Sequence, residues 1–185
     1  DHVPRHSVPE WRIDVKIVVI GASGLIGSKL VDYLHRAGRS VVKASPCSGL
    51  DTLSGEGLIE AMTGAQIAVD VTDAPSADGK AAMDFFKTSS RNVMDAGYSA
   101  GIRHHIVLSY VGADRLGDSG YMRAKIAQEE IVRGAGIPYT IVRSTQAFES
   151  INKLVRRDAK GEVRLPSVLM QPVGSEDIAA VLADI

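Results

Sequence analysis

Three glycines at a fixed spacing form the segment of this sequence with the clearest chemical meaning. Gly21, Gly24 and Gly27 follow a short apolar run and precede a segment with helical periodicity. The first glycine permits a tight turn after a strand, the second lets a pyrophosphate approach bare backbone, and the third allows close helix–strand packing. Free amide groups at the start of the helix, together with the helix dipole, then favour an anion. The spacing therefore predicts a dinucleotide-binding turn.

The predicted cofactor contacts come from this turn and from the end of the next strand. In the turn, the expected contacts are Gly21, Ser23, Gly24, Leu25, Ile26 and Gly27. After the second strand, an acidic residue would bind the ribose 2′-hydroxyl of NAD and repel a 2′-phosphate. Residues 44–46 contain no acid and no arginine, whereas the hydroxyls of Ser45 and Ser48 can accommodate a phosphate. We therefore expect NADP(H) to be preferred over NAD(H).

The rest of the sequence alternates between strand-like and helix-like segments, which predicts the scaffold of this turn. Strands are predicted at 15–20, 41–45, 66–72, 106–109 and 139–143, and helices at 25–37, 58–62, 77–100, 121–133 and 175–184. Such alternation implies right-handed crossovers and a parallel sheet. We expect an α/β fold: a Rossmann-type doubly wound parallel sheet with helices on both faces. Leu50-Asp51 forms either a short extra strand or an extended loop.

Length and composition favour a single domain. The chain has 185 residues, of which 45% are hydrophobic and 23% charged, as in ordinary globular proteins. Residues 1–14 have no hydrophobic period, and we expect them to form a flexible extension outside the fold. Residues 15–185 then form the NAD(P)-binding domain. Because the sequence stops inside a predicted helix, we expect the substrate part of that domain to be incomplete at its C-terminus.

Charge, hydropathy and cysteine content argue against several classes of protein. Lys and Arg total 21 and Asp and Glu total 22, so no field of one sign exists to hold nucleic acid or an anionic membrane. Apolar stretches such as 17–22 are far shorter than the roughly 18 residues of a spanning helix. The single Cys47 excludes an intrachain disulfide and favours a cytoplasmic location. Adjacent His104 and His105 point to opposite faces of a strand, and no metal site is expected.

Several short motifs outside the glycine turn share a further pattern. They are the opening segment Lys16–Gly27, Gly49-Leu50-Asp51-Thr52, Ser90-Arg91-Asn92-Val93, Leu108-Ser109 and Tyr121-Met122-Arg123-Ala124-Lys125. Together they resemble the short-chain dehydrogenase/reductase superfamily, and more narrowly its atypical, NAD(P)H-binding, NmrA-like branch, over residues 15–185. The resemblance implies that Asp51 contacts the adenine and that Thr72, Asp73 and Ala74 line the ribose side of the cofactor.

The resemblance also implies catalytic roles for Tyr121 and Lys125, which lie four residues apart and share one helix face. A neighbouring ammonium would lower the pKa of Tyr121 from its usual value of about 10. Tyr121 would then exchange a proton with the substrate oxygen during hydride transfer, while Lys125 would hold the nicotinamide ribose. Ser109 would hydrogen-bond the substrate carbonyl, although the same family position also aligns with Tyr110. Asn92 would support the lysine through water.

These observations predict an NAD(P)H-dependent oxidoreductase that transfers hydride to a small carbonyl or quinone-like substrate. Gln146 and Phe148, just beyond the carboxyl end of a strand, are the expected substrate contacts. Two alternatives stay open: a non-catalytic NAD(P)-sensing regulator and a nucleoside-diphosphate-sugar epimerase-like protein. The Tyr121–Lys125 pair favours an enzyme over a sensor, and the short C-terminal part argues against the epimerase. A homodimer is expected by analogy with relatives.

Overall fold

The computed structural model describes residues 15–154, 156–157, 163–164 and 170–185, so the predicted extension 1–14 lies outside the described residues. The strands are β1 (Lys16–Ile20), β2 (Ser40–Ala44), β3 (Ile67–Asp70), β4 (His104–Tyr110), β5 (Tyr139–Ser144), β6 (Arg156–Arg157) and β7 (Val163–Arg164). The helices are α1 (Leu25–Arg36), α2 (Leu58–Met62), α3 (Gly79–Ala100), α4 (Gly120–Gly134) and α5 (Ser175–Asp184), with 3₁₀ turns at Pro46–Ser48 and Phe148–Leu154.

Five parallel strands form the main sheet in the order β2-β1-β3-β4-β5, and β6 and β7 form a small antiparallel ribbon. The chain runs from β1 outward to β2 and then crosses to the other side of β1, so the strand order reverses between β1 and β3. Ile20 pairs with both Ala44 and Asp70, and these three strands therefore end level. Leu50-Asp51 lies in the loop between the first 3₁₀ turn and α2, which excludes the extra strand.

Helices cover both faces of the sheet, which confirms the predicted Rossmann-type fold. Along β1, successive side chains point to opposite faces, and Val18 and Val19 are both completely buried. The Val19 face packs against α1 and α5, as the contacts with Leu30 and Ile178 illustrate. The Val18 face packs against α2, α3 and α4. Burial on both faces explains the uninterrupted apolar run of this strand.

The N-termini of α3 and α4 meet at a pair of glycines. A Cβ atom built on Gly79 would lie 2.7 Å from the Cα atom of Gly120, and one built on Gly120 would lie 2.6 Å from the Cα atom of Gly79. Neither position therefore has room for a side chain. The contact holds the loop after β3 against the first turn of α4. As a result, Asp73 in that loop and Tyr121 in α4 are hydrogen-bonded.

The described residues were considered for two further features, a metal site and a membrane-spanning helix. Among the described residues, no group of three His, Cys, Asp or Glu side chains is arranged to hold a metal ion. No helix in the same residues is both long and apolar enough to cross a membrane.

Candidate functional site

A cavity of about 790 Å³ opens at the carboxyl edge of the sheet, where the strand order reverses. In open α/β sheets, ligands bind in the crevice at this reversal point. The predicted site residues that line it are Gly21, Ser23, Gly24, Leu25, Ile26, Ser45, Asp51, Thr72, Asp73 and Lys125. The predicted site residues that do not line it are Gly27, Ser48, Ala74, Asn92, Ser109, Tyr121, Gln146 and Phe148.

The start of α1 presents unpaired backbone donors at the wall of the cavity. Gly24 occupies the N-cap position without a side-chain cap, and the first turn carries no acidic residue. The amide groups of Leu25 and Ile26 find no hydrogen-bond acceptor among the described residues. Because the first amides of a helix carry partial positive charge, this end of the cavity suits an anion.

The three glycines of the turn are required for three different reasons. Gly21 has a φ of +86°, a conformation that side chains disfavour. A Cβ on Gly27 would lie 2.1 Å from the carbonyl oxygen of Gly21, so helix and strand pack too closely for a larger residue. A Cβ on Gly24 would meet only that oxygen, at 3.2 Å, and otherwise open space. Gly24 therefore leaves bare backbone at the cavity wall, which fits a cofactor diphosphate.

In the loop after β2, the polar groups that line the cavity are not all those predicted to contact the cofactor. The Ser48 hydroxyl donates to the carbonyl oxygen of Ser45 at 2.8 Å and accepts from the Ser45 amide at 3.0 Å. It closes the 3₁₀ turn, and Ser48 lies outside the cavity, so its expected contact with a phosphate is corrected. The carboxylates on this side belong to Asp51 and Glu56, both of which line the cavity. Glu56 was missed because it lies beyond the strand end that the fingerprint specifies.

Lys125 lines the cavity with its ammonium drawn into the protein. Only 2% of the residue is exposed. Its Nζ donates to the carbonyl oxygen of Leu108 at 2.8 Å and to Oε1 of Gln128 at 2.5 Å, and it lies 4.5 Å from the centre of the Phe86 ring. Burial lowers the pKa of Lys125 to about 8, although the charge of Asp70 opposes the shift.

Tyr121 lies one helical turn before Lys125 on α4 but is not activated by it. Its hydroxyl donates to Oδ1 of Asp73, and its ring packs edge to face against Phe86 and Tyr110. Burial, Tyr110 and the Asp73 charge raise the pKa of Tyr121 above its usual value. The expected lowering of this pKa by Lys125 is therefore wrong, because the ammonium is engaged elsewhere. Tyr110, and not Tyr121, lines the cavity.

Two further predicted catalytic residues have other roles in the structure. The Asn92 side chain donates to the carbonyl oxygens of Thr52 and Leu53, both at 2.9 Å, and so secures a loop that lines the cavity. It does not contact the lysine. Ser109 is completely buried, whereas its neighbours Leu108 and Tyr110 line the cavity. Because side chains alternate along a strand, Ser109 points away from the cavity, and its expected contact with a substrate carbonyl is corrected.

The predicted substrate residues do not line the cavity, but the residue before each of them does. Thr145 and Ala147 line the cavity, whereas Gln146 and Phe148 do not. The backbone here pairs with Val173, whose amide donates to Gln146 and whose carbonyl accepts from Phe148. This strand-like pairing makes the side chains alternate, and Phe148 is 57% exposed as a result.

Ala74 was expected to contact the cofactor but does not line the cavity, whereas Phe85 does. Ala74 packs beside the buried Phe86 and lies outside the cavity. Phe85, on α3, was not among the predicted site residues and lines the cavity. The rings of Phe85 and Phe86 pack edge to face with their centres 5.3 Å apart. Phe85 and Tyr110 line the same cavity, and this proximity could not be inferred from the sequence because the two residues belong to different elements.

A protein-family model described as NAD(P)H-binding matches residues 47–185. A search of curated proteins finds no match. Many solved structures share the fold. Triphenylmethane reductase from Citrobacter sp., complexed with NADP(H), is 19% identical with a TM-score of 0.70. The alignment covers 92% of this chain and 65% of the reductase, so this chain spans less than two thirds of that protein.

Two other solved structures also share the fold of this chain at low sequence identity. A putative NAD-dependent epimerase/dehydratase from Bacillus halodurans is 17% identical with a TM-score of 0.70, covering 92% of this chain and 86% of that one. A short-chain dehydrogenase/reductase superfamily protein from Agrobacterium tumefaciens with bound NAD is 17% identical with a TM-score of 0.68, covering 90% and 72%. At these identities the likeness concerns the fold.

Proposed function

Because the chain belongs to the NAD(P)H-binding family, we propose that it is an NAD(P)H-dependent oxidoreductase acting on a small carbonyl or quinone-like substrate. The observation that carries the proposal is the uncapped start of α1, whose amides and bare Gly24 face a cavity of about 790 Å³. That volume lies within the usual range for cofactor and substrate sites. The reductase among the structural neighbours supports the same class of chemistry.

The residues present fit the diphosphate, the adenine and a ribose of such a cofactor. Leu25 and Ile26 would bind the diphosphate with their amides, and Asp51 would lie on the adenine side. Thr72 and Asp73, which follow β3, would line the ribose. When bound, NAD(P)H supplies the hydride. The chain itself must orient the substrate and deliver a proton to the oxygen that hydride transfer leaves negatively charged.

The proton would come from the two phenols at the end of β4 and the start of α4. The pKa values of Tyr110 and Tyr121 are both raised, so both are protonated at neutral pH, as a donor must be. Lys125, whose pKa is about 8, carries a positive charge at neutral pH and lies 6.0 Å from the centre of the Tyr110 ring. Its charge would stabilise the phenolate that proton donation leaves.

We propose NADP(H) as the preferred form because no carboxylate directly follows β2. Asp51 and Glu56 are the acidic groups that would oppose a 2′-phosphate from the neighbouring loop. The neighbours include complexes with either form, NADP(H) in one and NAD in another. Calorimetric titration with NADPH and NADH compares the two directly. Tighter binding of NADH would overturn the preference without affecting the rest of the proposal.

The test of cofactor binding is the substitution Gly24→Val, with Gly134→Val as its matched control. The valine at Gly24 would cover the bare backbone beside the helix amides, and we expect the Kd for NADPH to rise by about 100-fold or more. A Cβ atom built at Gly134 meets nothing within 4 Å outside its own helical turn. An equal Kd in both variants would remove the proposed cofactor site.

Turnover is tested by following NADPH absorbance with a panel of aldehydes, ketones and quinones. A non-catalytic NAD(P)-sensing regulator is the second candidate, and one observation favours it. The Lys125 ammonium donates to Leu108 and Gln128, whereas the Tyr121 hydroxyl donates to Asp73, so the expected catalytic pair is not assembled. Tight NADPH binding without oxidation of NADPH by any member of the panel would favour the regulator.

A further inference from the structure

Two tyrosines lie side by side at one end of the cavity, and only one of them faces it. Tyr110 ends β4 and lines the cavity, whereas Tyr121 in the first turn of α4 does not. The two rings pack edge to face with their centres 6.0 Å apart. A substrate in the cavity would therefore meet the Tyr110 phenol first, with Tyr121 behind it.

The hydroxyl of Tyr121 is also already engaged. It donates its single proton to Oδ1 of Asp73. Its ring is fixed by edge-to-face packing against both Phe86 and Tyr110, and the glycine contact between Gly79 and Gly120 holds its helix against the loop that carries Asp73. Donation to a substrate would require this hydrogen bond to break.

Tyr110 has the opposite arrangement, because it lines the cavity directly and lies near two groups that can stabilise its phenolate. The ammonium of Lys125 lies 6.0 Å from the centre of its ring. Burial and the Asp73 charge raise the pKa of Tyr110, and the neighbouring Tyr121 hydroxyl opposes that rise. The positive charge and the hydroxyl are the two features that favour a transient phenolate at this position.

We propose that Tyr110 is the catalytic residue that gives the proton to the substrate oxygen, and that Tyr121 and Asp73 connect it to solvent. The inference rests on the proposed function, since it concerns the proton that accompanies hydride transfer. It departs from the Tyr121–Lys125 pair expected from the sequence. Tyr121 and Asp73 are positioning residues in this arrangement.

The proposed step conserves atoms and charge. With NAD(P)H bound, the carbonyl carbon of an aldehyde or ketone would accept the hydride, and the electron pair of the C=O π bond would move to its oxygen. A quinone would accept the hydride at one oxygen, and the electron pair would move through the conjugated ring to the other oxygen. The negatively charged oxygen would take the proton of the Tyr110 hydroxyl, which leaves an alcohol or hydroquinone, oxidised cofactor and a phenolate. The negative charge of the Tyr110 phenolate then draws the Tyr121 hydroxyl away from Asp73, and the phenolate accepts the Tyr121 proton. Tyr121 is reprotonated from water through the exposed carboxylate of Asp73.

The experiment compares Tyr110→Phe and Tyr121→Phe, with Tyr98→Phe as a control on a residue that is 73% exposed. The full chain is assayed with NADPH and menadione, and NADPH binding is measured by calorimetry. For Tyr110→Phe we expect kcat to fall by about 100-fold or more, within the usual range for loss of a general acid. NADPH affinity should stay within about twofold, because the ring remains and only the hydroxyl is lost.

For Tyr121→Phe we expect a smaller fall in kcat, about tenfold, because its role is to return a proton to Tyr110. Added imidazole should restore part of that loss by carrying the proton from solvent, a rescue that a purely structural defect would not show. Imidazole should not restore Tyr110→Phe, whose defect lies in the donor itself.

The outcomes separate this inference from the proposed function. The inference is overturned when the wild type reduces menadione normally but Tyr110→Phe retains its activity and Tyr121→Phe loses it. In that case Tyr121 is the donor and the proposed function stands. A wild type that binds NADPH but neither binds nor reduces menadione or any member of the carbonyl panel overturns both together.

Discussion

The two ends of the cavity use opposite arrangements of polar groups. At the end proposed to bind the cofactor diphosphate, which is formed by residues 21–26 and called the phosphate end, the amides of Leu25 and Ile26 have no acceptor within the described chain. At the proton end, formed by Tyr110, Tyr121, Lys125 and Asp73, most polar groups already have a partner in the protein. The first end is ready for a ligand as it stands. The second must exchange one of its own contacts before it can act, which makes it sensitive to each neighbour.

The largest expected effect lies at the phosphate end, where two glycines three residues apart should fail in different ways. Gly27→Val should lower the free energy of unfolding by about 4 kcal/mol or more, because the new side chain collides with the backbone of Gly21. Gly24→Val should remain close to wild-type stability and lose cofactor binding instead. Urea denaturation of both variants checks the contrast. An equal loss of stability in Gly24→Val and Gly27→Val would show that both glycines are needed for folding and that neither is needed only to bind a ligand.

The next effect concerns the ion pairs that hold α4 to β5 behind the proton end. Glu129 is completely buried and accepts hydrogen bonds from Arg143 at 2.9 and 2.7 Å and from Arg133 at 2.7 Å. Glu129→Gln should lower the free energy of unfolding by about 3 kcal/mol at pH 7, since it removes the buried negative charge that Arg133 and Arg143 share, although Arg143 keeps its contact with Asp114 at 3.2 Å.

The pH dependence of this loss can be worked out from the ionisation of Glu129. Although burial opposes it, hydrogen bonds led by that from Arg143 lower the pKa of Glu129 to about 2. The contribution is therefore complete above the unfolded pKa of about 4.5 and falls as the pH drops towards 2. Denaturation at pH 7 and pH 3 should show the gap between wild type and Glu129→Gln shrinking. A gap that is constant with pH would exclude the charge as its cause.

The smallest expected effect concerns Lys125, whose buried ammonium should lower the free energy of unfolding while it is charged. Its folded pKa of about 8 lies below the unfolded value of about 10.5, so between these values the unfolded chain binds more protons. The free energy of unfolding of wild type relative to Lys125→Met should therefore rise with pH, by about 2 kcal/mol between pH 8 and pH 10. Denaturation at pH 8 and pH 10 measures the change, and no change would mean that the ammonium is well solvated.

The same contrast explains how much could be predicted from the sequence. The fold and the phosphate end follow from local rules, because strand, glycine turn and amphipathic helix occur in order between residues 16 and 36. Backbone geometry decides such a site, and the glycines report that geometry directly. The predicted bounds of α1 and α2 accordingly agree with the structure to within one residue at each end.

The proton end could not be predicted in the same way, because it depends on competition between side chains that are distant in sequence. Asp73 takes the hydroxyl of Tyr121, and Gln128 and the Leu108 carbonyl take the ammonium of Lys125. Spacing shows that Tyr121 and Lys125 share a helix face, but it does not show which neighbours they contact. The expected homodimer and cytoplasmic location stay predictions.

The glycine contact at the start of α3 and α4 has a mechanical consequence. Backbone touches backbone at Gly79 and Gly120, so no intervening side chain can change its rotamer to absorb a displacement. A movement of the segment between β3 and α3 towards α4 would therefore be passed on to the first turn of α4, which carries Tyr121. If the cofactor binds as proposed, the position of this loop around it and the position of Tyr121 would change together.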